Sequence, residues 1–173
     1  EIGGGFGGKG MSGLYLEPVA AMLSKKSGAA VKIVLGRSEV FEGTGPTSGT
    51  HIRMKMGATK DGKLLAADAT LTYEAGAFPG SPVAGSSRTM LAPYVIPNAR
   101  IEALDVVINV QKSGAYRAPG SPSSAFAAES VIDELSTELG IDPIEFRLLN
   151  AAKEGTRQPT GGPVYRRIGL VET

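Results

Sequence analysis

The sequence contains no cysteine and only one histidine, His51. The lack of cysteine excludes disulfides, thiolate zinc sites and iron–sulfur ligation by this chain. A single histidine likewise excludes a histidine-rich metal site. Any metal that the protein uses must therefore be carried by a cofactor.

An excess of one charge and long hydrophobic runs are also missing. The 18 basic and 17 acidic residues are interspersed and give a net charge of +1, so no basic footprint for nucleic acid is present. No apolar run approaches the roughly 18 residues that a membrane-spanning helix needs. With 173 residues, 42% of them hydrophobic, the chain suits one domain with a core of ordinary size.

Glycine, by contrast, is concentrated at the start of the chain, in Gly3-Gly4-Gly5-Phe6-Gly7-Gly8-Lys9. Glycine adds no side chain to a core, and it offers instead bare backbone whose N–H groups can approach a ligand closely. A helix predicted to begin near Ser12 would improve such a cradle for an anion. The stretch predicts a site for a phosphorylated cofactor, with a plain flexible turn as the alternative.

Two known phosphate-binding patterns fit this stretch incompletely. The spacing of Gly3, Gly5 and Gly8 satisfies G-x-G-x-x-G, but only two residues precede it, so the strand that this fingerprint requires cannot be checked. The P-loop pattern fits as far as Lys9 and then fails, because Gly10 stands where a serine or threonine would bind magnesium. A nucleotide-binding module that uses this loop stays open as an alternative.

Hydrophobic periodicity and turn signals predict helices that alternate with extended segments. In the first two thirds we expect a helix over 12–27, strands over 30–35, 51–58 and 64–73 with a hairpin at Asp61-Gly62, a short turn over 38–41, a loop over 76–87, a helical turn over 88–94 and an extended segment over 99–111. In the last third we expect one helix from an N-cap at Ser121 to Gly140 and another from a capping box at Asp142 to Asn150.

This order of elements predicts an α+β fold, with helices packed on a mixed, mainly antiparallel sheet. Residues 1–152 form the predicted domain. Residues 153–173 are polar and rich in glycine and proline, and we expect them to form an arm that packs on a missing neighbour.

A second stretch of chemical interest, residues 114–122, links a predicted strand to the first of the two last helices. Ligands often bind at such junctions. The stretch carries Arg117 on a stiff, proline-bounded loop, where its guanidinium can contact an anion or a carbonyl oxygen. The alternative is a surface arginine that pairs with Glu129 or Asp133.

Taken together and in this order, four segments resemble the molybdenum hydroxylases, the family of xanthine dehydrogenase and aldehyde oxidase. They are residues 3–9, 115–120, 128–129 and 138–143. The resemblance is to the large, molybdopterin-binding subunit, and it extends to about Asn150. We therefore expect the chain to be a fragment of such a subunit that begins inside the glycine loop.

The resemblance implies which residues surround the cofactor. In this family the glycine loop lies beside the molybdenum centre, so Phe6 and Gly7 would lie against its oxo and pterin ligands. Arg117 would line the same site on the substrate and pterin side. The expected cofactor-binding residues are Gly4, Gly5, Phe6, Gly7, Gly8, Arg117, Ala118 and Pro119.

The same resemblance implies an oxidoreductase that hydroxylates an aldehyde or an aromatic N-heterocycle with oxygen from water. The cofactor would be molybdopterin in its cytosine dinucleotide form, with the metal held by the cofactor's own dithiolene. Electrons would leave through [2Fe–2S] and FAD partners on other subunits or domains. We expect a cytoplasmic enzyme without a nucleic-acid or membrane partner, and a homodimer stays open.

Several positions depart from the family pattern. Gly10 replaces an acidic substrate contact, and Thr47 and Ser48 fall where purine-oxidising members place an arginine. These replacements disfavour a purine substrate. Ala118 replaces the copper-binding cysteine of carbon monoxide dehydrogenases, so that activity is rejected.

The catalytic glutamate of the family lies in a region outside this chain, and neither Glu145 nor Glu154 matches its motif. We therefore expect a hydroxylase fragment that contains no catalytic residue and cannot turn over substrate alone. The alternatives are the nucleotide-binding module and a binding or assembly fragment without chemistry. A serine hydrolase is disfavoured, because no G-x-S-x-G elbow exists and His51 would be the sole base.

Overall fold

The computed structural model describes residues 4–10 and 15–173. Its elements follow the order α1 (Leu16–Ser27), α2 (Arg37–Gly43), β1 (Thr50–Ala58), β2 (Leu64–Gly76), α3 (Val83–Thr89), β3 (Asn98–Val107), α4 (Ser121–Leu139) and α5 (Pro143–Asn150), with a 3-10 turn over Pro159–Gly161.

The strands form a mixed three-stranded sheet in the order β1-β2-β3 within the described residues. The predicted hairpin at Asp61-Gly62 joins β1 and β2 in antiparallel register, and β2 pairs with β3 in parallel register after a crossover through α3. The α+β fold is thereby confirmed. Its sheet is divided evenly, with one antiparallel pair and one parallel pair.

One face of the sheet is apolar and the other is charged, because side chains alternate along each strand. Met54, Ala69 and Ile101 occupy one row across the three strands, and the neighbouring row carries Lys55, Asp68 and Arg100. Helix α4 covers the apolar face, and its Ala128 and Ile132 are fully buried there. The core therefore lies between the sheet and the C-terminal helices.

The two last helices end and begin as the sequence predicts, with one exception. Gly140 adopts a left-handed conformation and ends α4, and the Asp142 carboxylate accepts hydrogen bonds from two N–H groups at the start of α5. The N-cap of α4, however, is Gly120 rather than Ser121. The left-handed φ of 78° at this position favours glycine, so Ser121 becomes the first helical residue.

The strand predicted over residues 30–35 does not form. This segment has no regular secondary structure, although its exposure alternates from residue to residue, and no described strand lies beside it to complete a ladder. The preceding helix begins at Leu16, and the predicted start at Ser12 lies outside the described residues. No residue of α1, which precedes this segment, is buried.

Three further boundaries differ from prediction. Helix α2 covers seven residues rather than a short turn, and α3 begins inside the predicted loop at Val83. Strand β3 ends at Val107 rather than extending to Gln111, because its partner β2 ends at Gly76, which pairs with Val107. The end of the partner strand, rather than β propensity, sets this last boundary.

The C-terminal arm contacts the domain. The Tyr165 hydroxyl donates to the Ala92 carbonyl at 2.6 Å, and within the arm itself Arg157 and Val164 form an isolated antiparallel bridge. That the arm also packs on a further neighbour stays a prediction. In the part of the chain that is described, no helix has the length and apolar character to cross a bilayer.

Asn150 links the end of α5 to the β-hairpin, and its removal is expected to destabilise the fold. Its amide oxygen accepts from the Leu64 N–H at 2.8 Å, and its amide nitrogen donates to the carbonyls of Gly62 and Phe146. Because these groups are buried, Asn150→Ala should lower the free energy of unfolding by about 2–3 kcal/mol, measured by urea denaturation.

Asn98 provides the matched control, because its side chain also donates to a backbone carbonyl but is exposed. Asn98→Ala should change the free energy of unfolding by less than about 0.5 kcal/mol. Equal effects of the two substitutions would contradict the role assigned to the buried amide.

Candidate functional site

Two segments that are distant in the sequence form the walls of one cavity. We call residues 4–10 the glycine loop and residues 115–120 the arginine corner. Their shared cavity has a volume of about 570 Å³ and is lined by Phe6, Gly7, Ala115, Tyr116, Arg117 and Pro119. The structure therefore brings together the two stretches that the sequence indicated for ligand binding.

The glycine loop and the arginine corner approach each other backbone to backbone. Gly7 has a φ of +86°, and a Cβ atom built on it would lie only 1.6 Å from the carbonyl oxygen of Ala115. No side chain can fit between these two segments. Glycine at this position is thus a requirement of the contact, in addition to any role in binding.

A third backbone segment, residues 45–46, holds the glycine loop and the residue before the arginine corner together. The sequence did not indicate it as part of the site. The Gly45 N–H donates to the Gly8 carbonyl at 2.9 Å, and the Gly114 N–H donates to the Pro46 carbonyl at 2.7 Å. A Cβ atom on Gly8 or Gly114 would lie within 2.8 Å of the Gly45 carbonyl oxygen. Gly45 was the available signal for this segment, but an isolated glycine carries little information in a chain that has 24.

The cavity walls have an unusual backbone conformation. Positive φ angles occur at Phe6 (49°), Arg117 (21°) and Ala118 (51°), which are three of the four non-glycine residues with positive φ among those described. Such conformations cost free energy and concentrate at functional sites. Their clustering around one cavity marks it as the candidate site.

The walls also offer hydrogen-bond donors. Within the glycine loop, the N–H groups of Lys9 and Gly10 donate to loop carbonyls. The N–H groups of Gly7, Arg117 and Ala118 have no acceptor among the described residues. These donors and one guanidinium suit an organic anion with many oxygen acceptors, so the residues present fit a phosphorylated pterin.

The remaining glycines differ in their surroundings. A Cβ atom on Gly5 would meet nothing within 4 Å, whereas one on Gly4 would lie 2.5 Å from the ring of Phe6. The Phe6 side chain is 73% exposed and that of Tyr116 is 53% exposed. The mouth of the cavity therefore has two aromatic rings available for contact.

Arg117 does not pair with Glu129 or Asp133, so that alternative is wrong. Both carboxylates instead accept from the Arg147 guanidinium, each at 2.9 Å. Burial, and then the hydrogen bond that the Tyr94 hydroxyl donates to Glu129, raise the pKa of Tyr94 well above its ordinary value. This network connects α4 and α5 and leaves Arg117 without an ion pair among the described residues.

A second cavity of about 880 Å³ shares Gly7 and Ala115 with the first and is also lined by Gly10, Thr44 and Lys112.

Ser48, one of the two positions noted for purine recognition, is buried, and its hydroxyl has no partner among the described residues. No group of three or more histidine, cysteine, aspartate or glutamate side chains in the described ranges could hold a metal ion.

Residues 1–151 match the model of the molybdopterin cofactor-binding domain. The chain belongs to this family. It is 35% identical to the nicotinate dehydrogenase large molybdopterin subunit of Eubacterium barkeri, over 99% of the chain and 40% of that protein. It is 36% identical to the xanthine dehydrogenase molybdenum-binding subunit of Escherichia coli, over 99% of the chain and 23% of that protein.

Among solved structures, the aldehyde oxidoreductase of Desulfovibrio gigas matches with a TM-score of 0.78 and 30% identity, over 92% of the chain and 18% of that structure. The predicted membership of the molybdenum hydroxylases is thus confirmed. The family comprises molybdenum-dependent oxidoreductases of the xanthine dehydrogenase and aldehyde oxidoreductase type. The chain spans less than half the length of these relatives.

Gly7→Ala is expected to separate the two walls of the molybdopterin-domain cavity. The added methyl group would coincide with the Ala115 carbonyl, and the left-handed φ adds a cost of about 1–2 kcal/mol. The amide chemical shifts of Tyr116 and Arg117 should change markedly in NMR spectra. Gly5→Ala serves as the control, because its methyl group meets open space, and it should leave these shifts in place. Equal shifts in both variants would show that the close contact does not exist.

Acid is expected to weaken two hydrogen bonds that the Asp105 carboxylate accepts beside the second cavity. The Asp105 carboxylate accepts from the N–H groups of Gly80 and Ser81, both at 2.7 Å. Hydrogen bonding by the Ser81 side chain, and then by the backbone, lowers the pKa of Asp105 from its ordinary value of 3.8. These hydrogen bonds therefore contribute to stability above pH 3.8, and their contribution is lost as the pH falls through the lowered pKa of Asp105.

The amide shifts of Gly80 and Ser81 should titrate with a midpoint below 3.8, and Asp105→Asn should abolish this titration. A midpoint at or above 3.8 would contradict the assignment.

Proposed function

We propose that the molybdopterin cofactor binds in the cavity between the glycine loop and the arginine corner. The observation that carries this proposal is the convergence of Phe6 and Arg117 on one cavity, whose walls carry N–H groups that have no acceptor among the described residues. The residues that would hold the cofactor are Gly4, Gly5, Phe6, Gly7, Gly8, Arg117, Ala118 and Pro119.

Each wall would contribute a different kind of contact. The N–H groups of the glycine loop would donate to anionic or carbonyl oxygens, because its glycines carry no side chain that blocks their approach. The Arg117 guanidinium, with its planar set of donors, would bind phosphate or pterin oxygens in a bidentate manner. Phe6 would cover the cofactor with an apolar surface and limit the access of water.

The cofactor, when bound, supplies the redox chemistry for hydroxylation of a substrate carbon with oxygen from water. This chain's residues bind it, orient it and exclude water. The catalytic glutamate lies outside the chain in this proposal, so the chain alone does not turn over substrate. The Eubacterium barkeri relative is named for nicotinate and the Desulfovibrio gigas structure for an aldehyde, which supports an aldehyde or N-heterocycle as substrate.

The finer features of the proposal follow from the family resemblance. The cofactor is the cytosine dinucleotide form, and electrons pass to [2Fe–2S] and FAD partners in a cytoplasmic enzyme. Gly10, Thr47 and Ser48 disfavour a purine substrate, and Ala118 disfavours carbon monoxide. The name of the Eubacterium barkeri relative, a large subunit, supports an assembly with further subunits.

Cofactor content tests this proposal. The chain, purified from a host that makes the cofactor, should contain molybdenum by mass spectrometry and pterin by fluorescence after oxidation. Arg117→Ala removes charge-assisted hydrogen bonds, so it should weaken cofactor binding by about tenfold to a hundredfold. Arg100→Ala is the matched control, because Arg100 is exposed on the charged face of the sheet and pairs with Asp68.

An equal loss of cofactor in both arginine variants, or no cofactor in the unaltered chain, would contradict the proposed site. Aldehyde-dependent dye reduction should be absent from the isolated chain, even when cofactor is bound. Robust turnover would show that the chain needs no glutamate from outside.

A further inference from the structure

The arginine corner is attached to the end of β2 on both sides. Before the corner, the Ser113 N–H donates to the carbonyl of Ala75 at 3.0 Å. At its last residue, the Tyr73 hydroxyl donates to the carbonyl of Gly120 at 2.9 Å. Tyr73 is fully buried, so the second attachment reaches the site from inside the core.

Gly120 is closely surrounded by Ser86, Pro82 and Tyr73, which together form what we call its socket. A Cβ atom on Gly120 would lie 2.2 Å from the Ser86 hydroxyl, 3.0 Å from the Pro82 carbonyl oxygen and 3.0 Å from the Tyr73 ring. The Gly120 carbonyl also accepts from the Ser124 N–H, but at 3.4 Å, which is a weak hydrogen bond. The tyrosine hydroxyl is thus the stronger of the two donors that hold this carbonyl.

Between the two attachments, few backbone hydrogen bonds within the described residues stabilise the corner. Arg117 and Ala118 have left-handed φ angles, and their N–H groups have no acceptor among the described residues. The Ser121 N–H donates to the Ala118 carbonyl at 2.9 Å and closes the turn. A strained conformation of this kind persists only where the surrounding structure enforces it.

We propose that Tyr73 is a positioning residue for the cofactor site. Its hydroxyl fixes Gly120 and thereby keeps Arg117 and Ala118 in the conformation that faces Phe6 across the cavity. The identity of the ligand rests on the proposed function, but the effect on the corner does not. Tyr73 itself lines neither of the two cavities at the site.

Tyr73→Phe tests this inference, because it removes the hydroxyl and keeps the buried ring. Tyr94→Phe is the matched control: Tyr94 is also buried, and its hydroxyl donates at 2.7 Å to Glu129, which contacts α5 through Arg147 rather than the corner. NMR relaxation gives the order parameters of the Arg117 and Ala118 amides, which report fast local motion rather than global stability.

In the unaltered chain and in Tyr94→Phe, these order parameters should lie near about 0.85, the value of rigid backbone. In Tyr73→Phe they should fall toward about 0.6 or below. Unchanged values in Tyr73→Phe, or an equal fall in Tyr94→Phe, would overturn the inference. Should Tyr73→Phe fail to fold, Ser86→Ala, which opens the same socket, should give a smaller fall and decides the question in the same way.

Cofactor retention separates this inference from the proposed function. Loss of the hydroxyl should lower molybdopterin retention on dialysis by about threefold to tenfold, the equivalent of one hydrogen bond, whereas Tyr94→Phe should retain the cofactor as the unaltered chain does. If the unaltered chain binds no cofactor, the proposed function fails, and the order parameters still decide the role of Tyr73. Equal retention in all three proteins would overturn a positioning role for the cofactor.

Discussion

The contact between the backbone of Gly7 and that of Ala115 is the constraint on which the candidate site depends. Two segments more than a hundred residues apart in the sequence meet with no side chain between them. This contact places Phe6 and Arg117 on one cavity, and several N–H groups of its walls have no acceptor among the described residues. A ligand held in this way is recognised mainly by backbone and shape, which suits a large cofactor that brings its own metal and chemistry.

The sheet and the C-terminal helices act as the rigid support for this contact. Strand β2 lies between β1 and β3, and its buried end carries both attachments of the arginine corner. The burial of Tyr73 and Ala75 joins the site to the hydrophobic core, so local strain at Arg117 and Ala118 is offset by packing elsewhere. Some of the residues that stabilise the core therefore also support the geometry of the candidate site.

Local signals in the sequence predicted most of the helices and the hairpin, because Asp61-Gly62, Gly140 and Asp142 act through nearby backbone. The strand over residues 30–35 was wrong, since a strand needs a neighbour and none lies beside it in the described residues. Both stretches of the candidate site stood out in the sequence, but composition alone left a flexible turn and a surface arginine open as alternatives. Their convergence, and the part played by Tyr73, depend on tertiary contacts that no local pattern encodes.

The position of the metal tests the central claim most directly. Diffraction data from crystals of the cofactor-loaded chain, collected above the molybdenum absorption edge, would locate molybdenum by its anomalous scattering. The account predicts a single strong peak in the cavity between Phe6 and Arg117. A peak elsewhere, for example beside Lys112 in the larger cavity, which neither Phe6 nor Arg117 lines, would contradict it.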